Sequence, residues 1–233
     1  MKSKKKTQPL SCLKNDKGTI VKDALIAEEM CRYFQSVFIP PTNNANFLNQ
    51  SYNDDSFAPF FTEDDIVKHL AQLDANSSPG PDNIHPCLLK NCASSLSKPL
   101  FLIFSISLRS GVFPSLWKEA NVTPIHKGGT ASSAANYRPI SILSSIAKIF
   151  EKIVSEFLIS QLNEKEFLHP SQHGFVKGKS CLTNLLTSIN HWTSAIDNHQ
   201  SCDVIYLDFN KAFDTVDHSI LLSKLQNLNL PHI

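Results

Sequence analysis

Apolar residues recur at helical spacing along most of the chain and close into one short unbroken run near its C-terminal end. Leu25, Ile26, Met30, Phe34, Val37 and Phe38 form one stripe, which predicts a helix over 24–38 capped by Asp23. Thr62-Glu63-Asp64-Asp65 resembles a capping box, with Ile66, Val67, Leu70 and Leu73 as the buried stripe behind it. A helix over 96–110 is predicted to end at Gly111, in the C-cap position. The longest helix, about 145–162, starts after Ser144 and presents Ile146, Ile149, Phe150, Ile153, Val154, Phe157 and Leu158 on one face. Ser180 caps the next, which runs to about 197 and is buried through Leu182, Leu185, Leu186, Ile189, Trp192 and Ile196. A final helix covers about 218–229, with Asp214 and Asp217 as caps.

Two stretches read as strands. Trp117 to Ile125 is the first. The second, Val204-Ile205-Tyr206-Leu207-Asp208-Phe209, is β-branched and aromatic, so it predicts a buried strand that leaves its sheet at Asp208. Ser77-Ser78-Pro79-Gly80-Pro81-Asp82-Asn83 holds two prolines around a glycine and is a rigid exposed turn. Residues 1–22 read as a loose Lys-rich arm and 39–58 as a linker. An arm and linker region with one helix (1–60) therefore precedes the main body (61–233). The order of elements predicts an α+β fold, helix-rich, with a small mixed or antiparallel sheet.

Composition adds one asymmetry. The formal net charge is +1, but residues 109–179 carry nine Lys/Arg against five Asp/Glu, and 180–233 carry two against five. That is either a phosphate-gripping surface beside a metal-binding one or simply uneven solvated faces. The six cysteines contain no C-x-x-C pair and read as free thiols. His169 and His173 are separated by Pro170, which spoils a helical zinc pair. The basic N-terminus has no apolar stretch behind it, and no run reaches membrane-spanning length. The expected setting is intracellular, nucleus or cytoplasm, without a secretory signal or membrane contact.

The chemistry centres on Asp208. A carboxylate closing a buried strand needs a cation, a donor or water. It either caps the strand–helix turn or holds a divalent metal, with the backbone carbonyl of Phe209 as a second oxygen. Magnesium takes such hard oxygen ligands and usually only one or two protein carboxylates. Phe213, on the following turn, is either an ordinary core ring or a bulk lying under a nucleotide sugar. Arg138, fixed beside Pro139, suits bidentate phosphate binding, and Lys127 in its Gly-rich turn is placed to reach the same phosphates. Lys177 and Lys179, flanked by Gly174 and Gly178, make a second basic loop. An apolar strand ending in Asp also opens haloacid-dehalogenase-type sites, but that chemistry wants a second Asp where Asn210 stands.

Taken together these blocks resemble the reverse transcriptases of non-LTR (LINE-like) retrotransposons, especially the jockey-like group. They run in family order: Ser78-Pro79-Gly80-Pro81-Asp82; Gly111-Val112-Phe113-Pro114 with Trp117-Lys118; Asn136-Tyr137-Arg138-Pro139-Ile140-Ser141; Gln172-His173-Gly174-Phe175; and Leu207 to His218. The resemblance implies part of a right-hand polymerase fold: an N-terminal extension (61–114), fingers (115–202) and the start of the palm (203–233). It implies Asp208 and the Phe209 carbonyl at catalytic Mg²⁺ (Mn²⁺ as substitute), and Arg138 and Lys127 at the incoming dNTP. Phe213 is then a steric gate, and Ser78, Gly80, Lys177 and Lys179 contact nucleic acid. Template RNA, a DNA primer and dNTPs are the implied partners, with no obligate protein partner.

The chain departs from the family pattern at Ser77, where Lys is frequent, and at Val176, where Arg is. The family's Ala-Asp-Asp block does not occur in these residues, so the expectation is a truncated, inactive segment. The competing expectation is a non-enzymatic nucleic-acid-binding remnant.

Overall fold

The structure, a computed structural model, describes residues 12–14, 18–22, 24–38, 58–209 and 211–228. The cap expected at Asp23, the arm 1–11 and the linker 39–57 lie outside the described residues. The strands are β1 (Leu13–Lys14), β2 (Ile20–Val21), β3 (Ala120–His126) and β4 (Tyr137–Leu143). The helices are α1 (Ala24–Gln35), α2 (Glu63–Ala71), α3 (Pro86–Asn91), α4 (Ala93–Ser110), α5 (Ser145–Glu164), α6 (Cys181–Asp197) and α7 (His218–Asn227). Both sheets are antiparallel pairs, β1 with β2 and β3 with β4, so the described residues form the expected helix-rich α+β fold. None of their helices is long and apolar enough to cross a membrane. The chain divides into two compact units, Met1–Ile153 with Lys211–Ile233, and Val154–Asn210.

The helices of the first unit begin where their caps dictate. Thr62 Oγ1 accepts from the Asp65 amide at 3.2 Å, and Asp65 Oδ2 accepts from the Thr62 amide at 2.9 Å, closing the capping box of α2. α4 ends at Gly111, whose φ of +64° is the left-handed conformation that glycine adopts without a Cβ penalty. Ser144 Oγ accepts from the Ile146 amide at 3.3 Å and starts α5. α3 was not foreseen, although Pro86 at its first turn was a usable signal. β4 was also missed. Pro124 stands opposite Pro139 in the β3–β4 ladder, and prolines are tolerated there because each strand has one unpaired edge.

Aromatic rings build the main core. Phe104 stacks on Phe150 with centroids 4.8 Å apart, and Phe113 lies over Phe150 at 5.9 Å. Trp117 meets Phe104 edge-on at 5.6 Å, and Phe61 adds to the same cluster through Phe101 and Phe104. Ile66, Leu70, Leu100, Ile149 and Ile153 fill in around the rings. A second cluster joins Leu13, Met30, Ala134 and Tyr137, with Ile26, Tyr33 and Phe34 against it. This corrects the reading of 1–22 as a loose arm. Leu13 is fully buried, and the Lys14 amide donates to Ser132 O at 2.7 Å, so this short piece is tied into the fold.

The Pro-Gly-Pro turn is also less exposed than its composition suggests. Gly80 is buried, and a Cβ there would lie 2.6 Å from Leu143 O and from Ser144 N. Beside it, Ser144 Oγ donates to Asp82 Oδ2 at 2.5 Å. The turn thus clamps the junction between β4 and α5.

In the second unit the expected burial of α6 fails. Leu182, Leu185, Leu186, Ile189 and Ile196 are all at least half exposed. The helix and its capping box, Ser180 with Thr183, form as expected. Helical periodicity marks a face that favours burial, but among the described residues nothing covers that face.

Two predictions follow from this packing. Gly80→Ala is expected to cost about 3 kcal/mol, because the neighbouring backbone cannot move aside as a side chain can, and urea unfolding measures it. The second concerns Asp65, whose carboxyl is held below the usual Asp range by the Thr62 hydroxyl and then the Thr62 amide. With the folded pKa below the unfolded one, the box stabilises above the unfolded pKa and is lost as pH falls through the folded pKa. Asp65→Asn should therefore weaken the fold by about 0.5–1 kcal/mol at neutral pH. The difference should begin to shrink as pH falls below about 3.8 in the same titration.

Candidate functional site

Side chains alternate across the β3–β4 hairpin, and the alternation sorts the basic candidates. Val122, Pro124, Pro139 and Ser141 share one face, with α1 residues Ile26, Met30 and Phe34 across a groove of about 990 Å³. Tyr137 is on that side too, buried, its hydroxyl donating to Ala131 O at 2.8 Å. Burial, with Cys12 nearby, pushes its phenol above the usual Tyr range. Arg138 pairs in register with Ile125 and stands exposed on the opposite face.

Lys127 follows β3, where its amide donates to Asn136 O at 2.7 Å and closes the Gly-rich turn. It lines a small cavity of about 20 Å³ with Tyr33, Tyr137, Lys211 and Asp214. The hairpin therefore does not put Arg138 and Lys127 on one face. It places Lys127 beside the turn that follows the acidic run instead.

That turn spans residues 211–215. The Lys211 carbonyl accepts from the Asp214 amide at 3.0 Å and the Thr215 amide at 3.2 Å. Phe213 projects from it, 77% exposed among the described residues. Asp217 caps α7, accepting from the Ser219 and Ile220 amides at 2.8 and 3.2 Å. Asp214 lines the groove beside α1 and is not that cap.

Asp208 and Phe209 belong to the second unit. The strand expected at 204–209 does not form there: the segment has no regular structure, and Ile205, Tyr206, Leu207 and Phe209 are each more than 80% exposed. A strand exists only through its ladder, and no described segment pairs with this one. Asp208 is exposed as well. It offers a carboxylate and, next to it, the Phe209 carbonyl, a donor set of hard oxygens that suits a hydrated Mg²⁺ or Mn²⁺. Among the described residues no group of three or more His, Cys, Asp or Glu converges to hold an ion.

The nucleic-acid candidates divide in the same way. Ser78 is exposed, whereas Gly80 is buried against backbone. Lys177 is exposed, while the Lys179 ammonium donates to Pro170 O across its own loop. Nδ1 of His173 sits 2.8 Å from the Thr183 hydroxyl, and Nδ1 of His169 accepts from the Ser171 amide at 3.2 Å. Sequence reasoning missed Lys211 and Tyr33. Only the lysine's place within the block Leu207 to His218 could have drawn attention to it.

Residues 125–233 match the family described as reverse transcriptase (RNA-dependent DNA polymerase). The chain is 34% identical over 166 residues to the probable RNA-directed DNA polymerase from transposon BS of Drosophila melanogaster, covering 71% of this chain and 18% of the relative. It is 30% identical over 187 residues to that from transposon X-element of the same species, covering 79% and 21%. With the RNA-directed DNA polymerase from mobile element jockey, also of D. melanogaster, identity is 27% over 235 residues, covering 97% and 26%. The chain thus spans about a fifth to a quarter of the length of these relatives.

The exposed 204–209 segment generates a prediction of its own. Six residues of high β-propensity with one charge and no ladder partner form an association-prone edge. The 233-residue chain is expected to self-associate in sedimentation velocity, and Ile205→Lys with Leu207→Lys should shift it towards monomer. A monodisperse parent chain would contradict this.

Proposed function

The chain carries a reverse transcriptase domain of the non-LTR retrotransposon family, and on that premise we propose that it is a segment of an RNA-directed DNA polymerase. The parent reaction is attack of a primer 3′-hydroxyl on the α-phosphate of a dNTP, templated by RNA, which breaks the α–β phosphoanhydride bond and releases pyrophosphate. In a right-hand arrangement, residues 61–114 form the N-terminal extension, 115–202 the fingers and 203–233 the first part of the palm.

The observation that carries this reading is Asp208, an exposed carboxylate inside the matched span 125–233, followed by the exposed ring of Phe213. Asp208 and the Phe209 carbonyl are the groups that would hold a divalent ion, Mg²⁺ by preference, which would supply charge neutralisation at the phosphate. Arg138 grips phosphate oxygens as a planar fork, and Lys127 supplies a point charge. Phe213 lies under the sugar and excludes a 2′-hydroxyl by bulk. Ser78 and Lys177 supply the exposed contacts to template backbone, while Gly80 and Lys179 shape the loops that present them.

Two assays test the reading. Filter binding of a poly(rA)/oligo(dT) duplex should weaken steeply between 50 and 200 mM salt. Replacing Lys177 with Ala should reduce the log–log slope by about 1. Binding that is absent, or indifferent to salt, removes the proposal. The second assay is primer extension with dTTP and Mg²⁺ on the same 233 residues. A single carboxylate does not organise the two-ion clamp, so no product is expected. Asp208-dependent extension would show that reasoning to be wrong.

A further inference from the structure

We propose that Tyr33 is a positioning residue: it clasps Lys211 and so fastens the turn that carries Phe213 to helix α1. The clasp uses both features of the phenol. Lys211 Nζ donates to the Tyr33 hydroxyl oxygen at 3.1 Å, and the same ammonium lies 4.8 Å from the centre of the Tyr33 ring. The two distances together put the ammonium at the hydroxyl end of the phenol, where the hydrogen bond fixes its direction and the ring adds a weaker attraction.

Each partner is anchored on its other side. Tyr33 packs against the Leu13–Met30–Tyr137 cluster and meets the Phe34 ring edge-on at 6.0 Å. Lys211 sits at φ +52°, a left-handed conformation that a residue with a Cβ holds only when its surroundings compel it. Its carbonyl is the hub of the turn, accepting from the amides of Asp214 and Thr215 and from the Thr215 hydroxyl at 3.1 Å. The lysine therefore organises the turn through its backbone and moors it through its side chain. Lys127 lines the same small cavity, so the mooring also sets the spacing between the Gly-rich turn and the 211–215 turn.

The consequence is that α1 helps to aim the Phe213 ring, although it lies upstream of the family match at 125–233. That consequence rests on the reading of Phe213 as a sugar-facing residue. The clasp itself does not.

Hydrogen exchange on the full 233-residue chain tests the clasp without nucleotide, template or metal. Tyr33→Leu and Lys211→Met are expected to speed exchange of the Asp214 and Thr215 amides about tenfold, Tyr33→Phe by less, and Lys211→Arg to stay near the parent. Amides of α4 should stay unchanged in all four variants and report an intact fold. Unchanged exchange at Asp214 and Thr215 in Tyr33→Leu overturns the inference. So does Lys211→Arg behaving like Lys211→Met, since an arginine keeps a cationic donor for the Tyr33 hydroxyl. Should Tyr33→Leu loosen α4 as well, Tyr33→Phe and Lys211→Arg decide by the same criteria. Failure of the polymerase reading would appear in the binding assay and leave these rates untouched.

Discussion

The first unit depends on the rings that meet at Phe150. Phe104 stacks on it from α4, Phe113 lies over it from the chain after Gly111, and Trp117 tilts against it at 5.7 Å. Aromatic pairs contribute about 0.5–1.5 kcal/mol each beyond area burial. Three such contacts on one ring fix α4, the loop after it and α5 against one another. The β3–β4 hairpin inherits its place from this arrangement, because β3 leaves Trp117 almost directly and β4 runs into α5 at Ser144. The Asp82–Ser144 bond and the close approach of Gly80 lock that second exit. Arg138 and Lys127 are thus positioned by packing some distance along the chain from themselves.

This changes what the signature blocks mean. Three of the five that carry the family resemblance act here mainly as packing: the Pro-Gly-Pro turn against backbone 143–144, the Phe113–Trp117 block against Phe150, and the Tyr137 block in the second core. The remaining two present their distinctive residues to solvent, Phe175 at 91% and Phe213 at 77% exposure. A shared motif therefore reports either a common way of folding or a common chemistry, and only burial separates the two. Gly80 is the clearest case. As sequence it reads as a loop that meets a ligand; in the fold it is the one residue small enough to let a turn close on a helix start.

How far the sequence could be read follows the same physics. Caps and stripes are local, so α2, α4, α5, α6 and α7 were legible from Thr62, Gly111, Ser144, Ser180 and Asp217. Strand pairing is not local. The apolar run at 204–209 has every compositional mark of a strand, but composition does not supply a ladder, and the segment stays irregular. β4 shows the opposite failure: residues 137–143 were not read as a strand, yet they pair along the whole of β3. The stripe of α6 was read correctly as apolar and wrongly as buried, since periodicity names the face and not its partner. Of the candidate site, the identities of Asp208, Arg138 and Phe213 came from pattern. The Tyr33–Lys211 contact joins positions 178 residues apart, and no local signal encodes it.

Energetics explain why the acidic segment is the least settled part of the site. Phosphoryl transfer is largely a matter of positioning, which the backbone of a paired strand supplies more firmly than an irregular segment does. Fixing the six residues 204–209 costs roughly 6–12 kcal/mol of backbone entropy, at about 1–2 kcal/mol each. Burying Ile205, Leu207 and Phe209 returns roughly 5–9 kcal/mol, at about 1.5–3 kcal/mol per side chain. Apolar cover alone leaves these two sums close to balance. Ladder hydrogen bonds at about 1 kcal/mol each are what tip it. A strand at 204–209 therefore needs both an apolar face and a free strand edge, because neither one by itself makes the paired segment clearly the lower state.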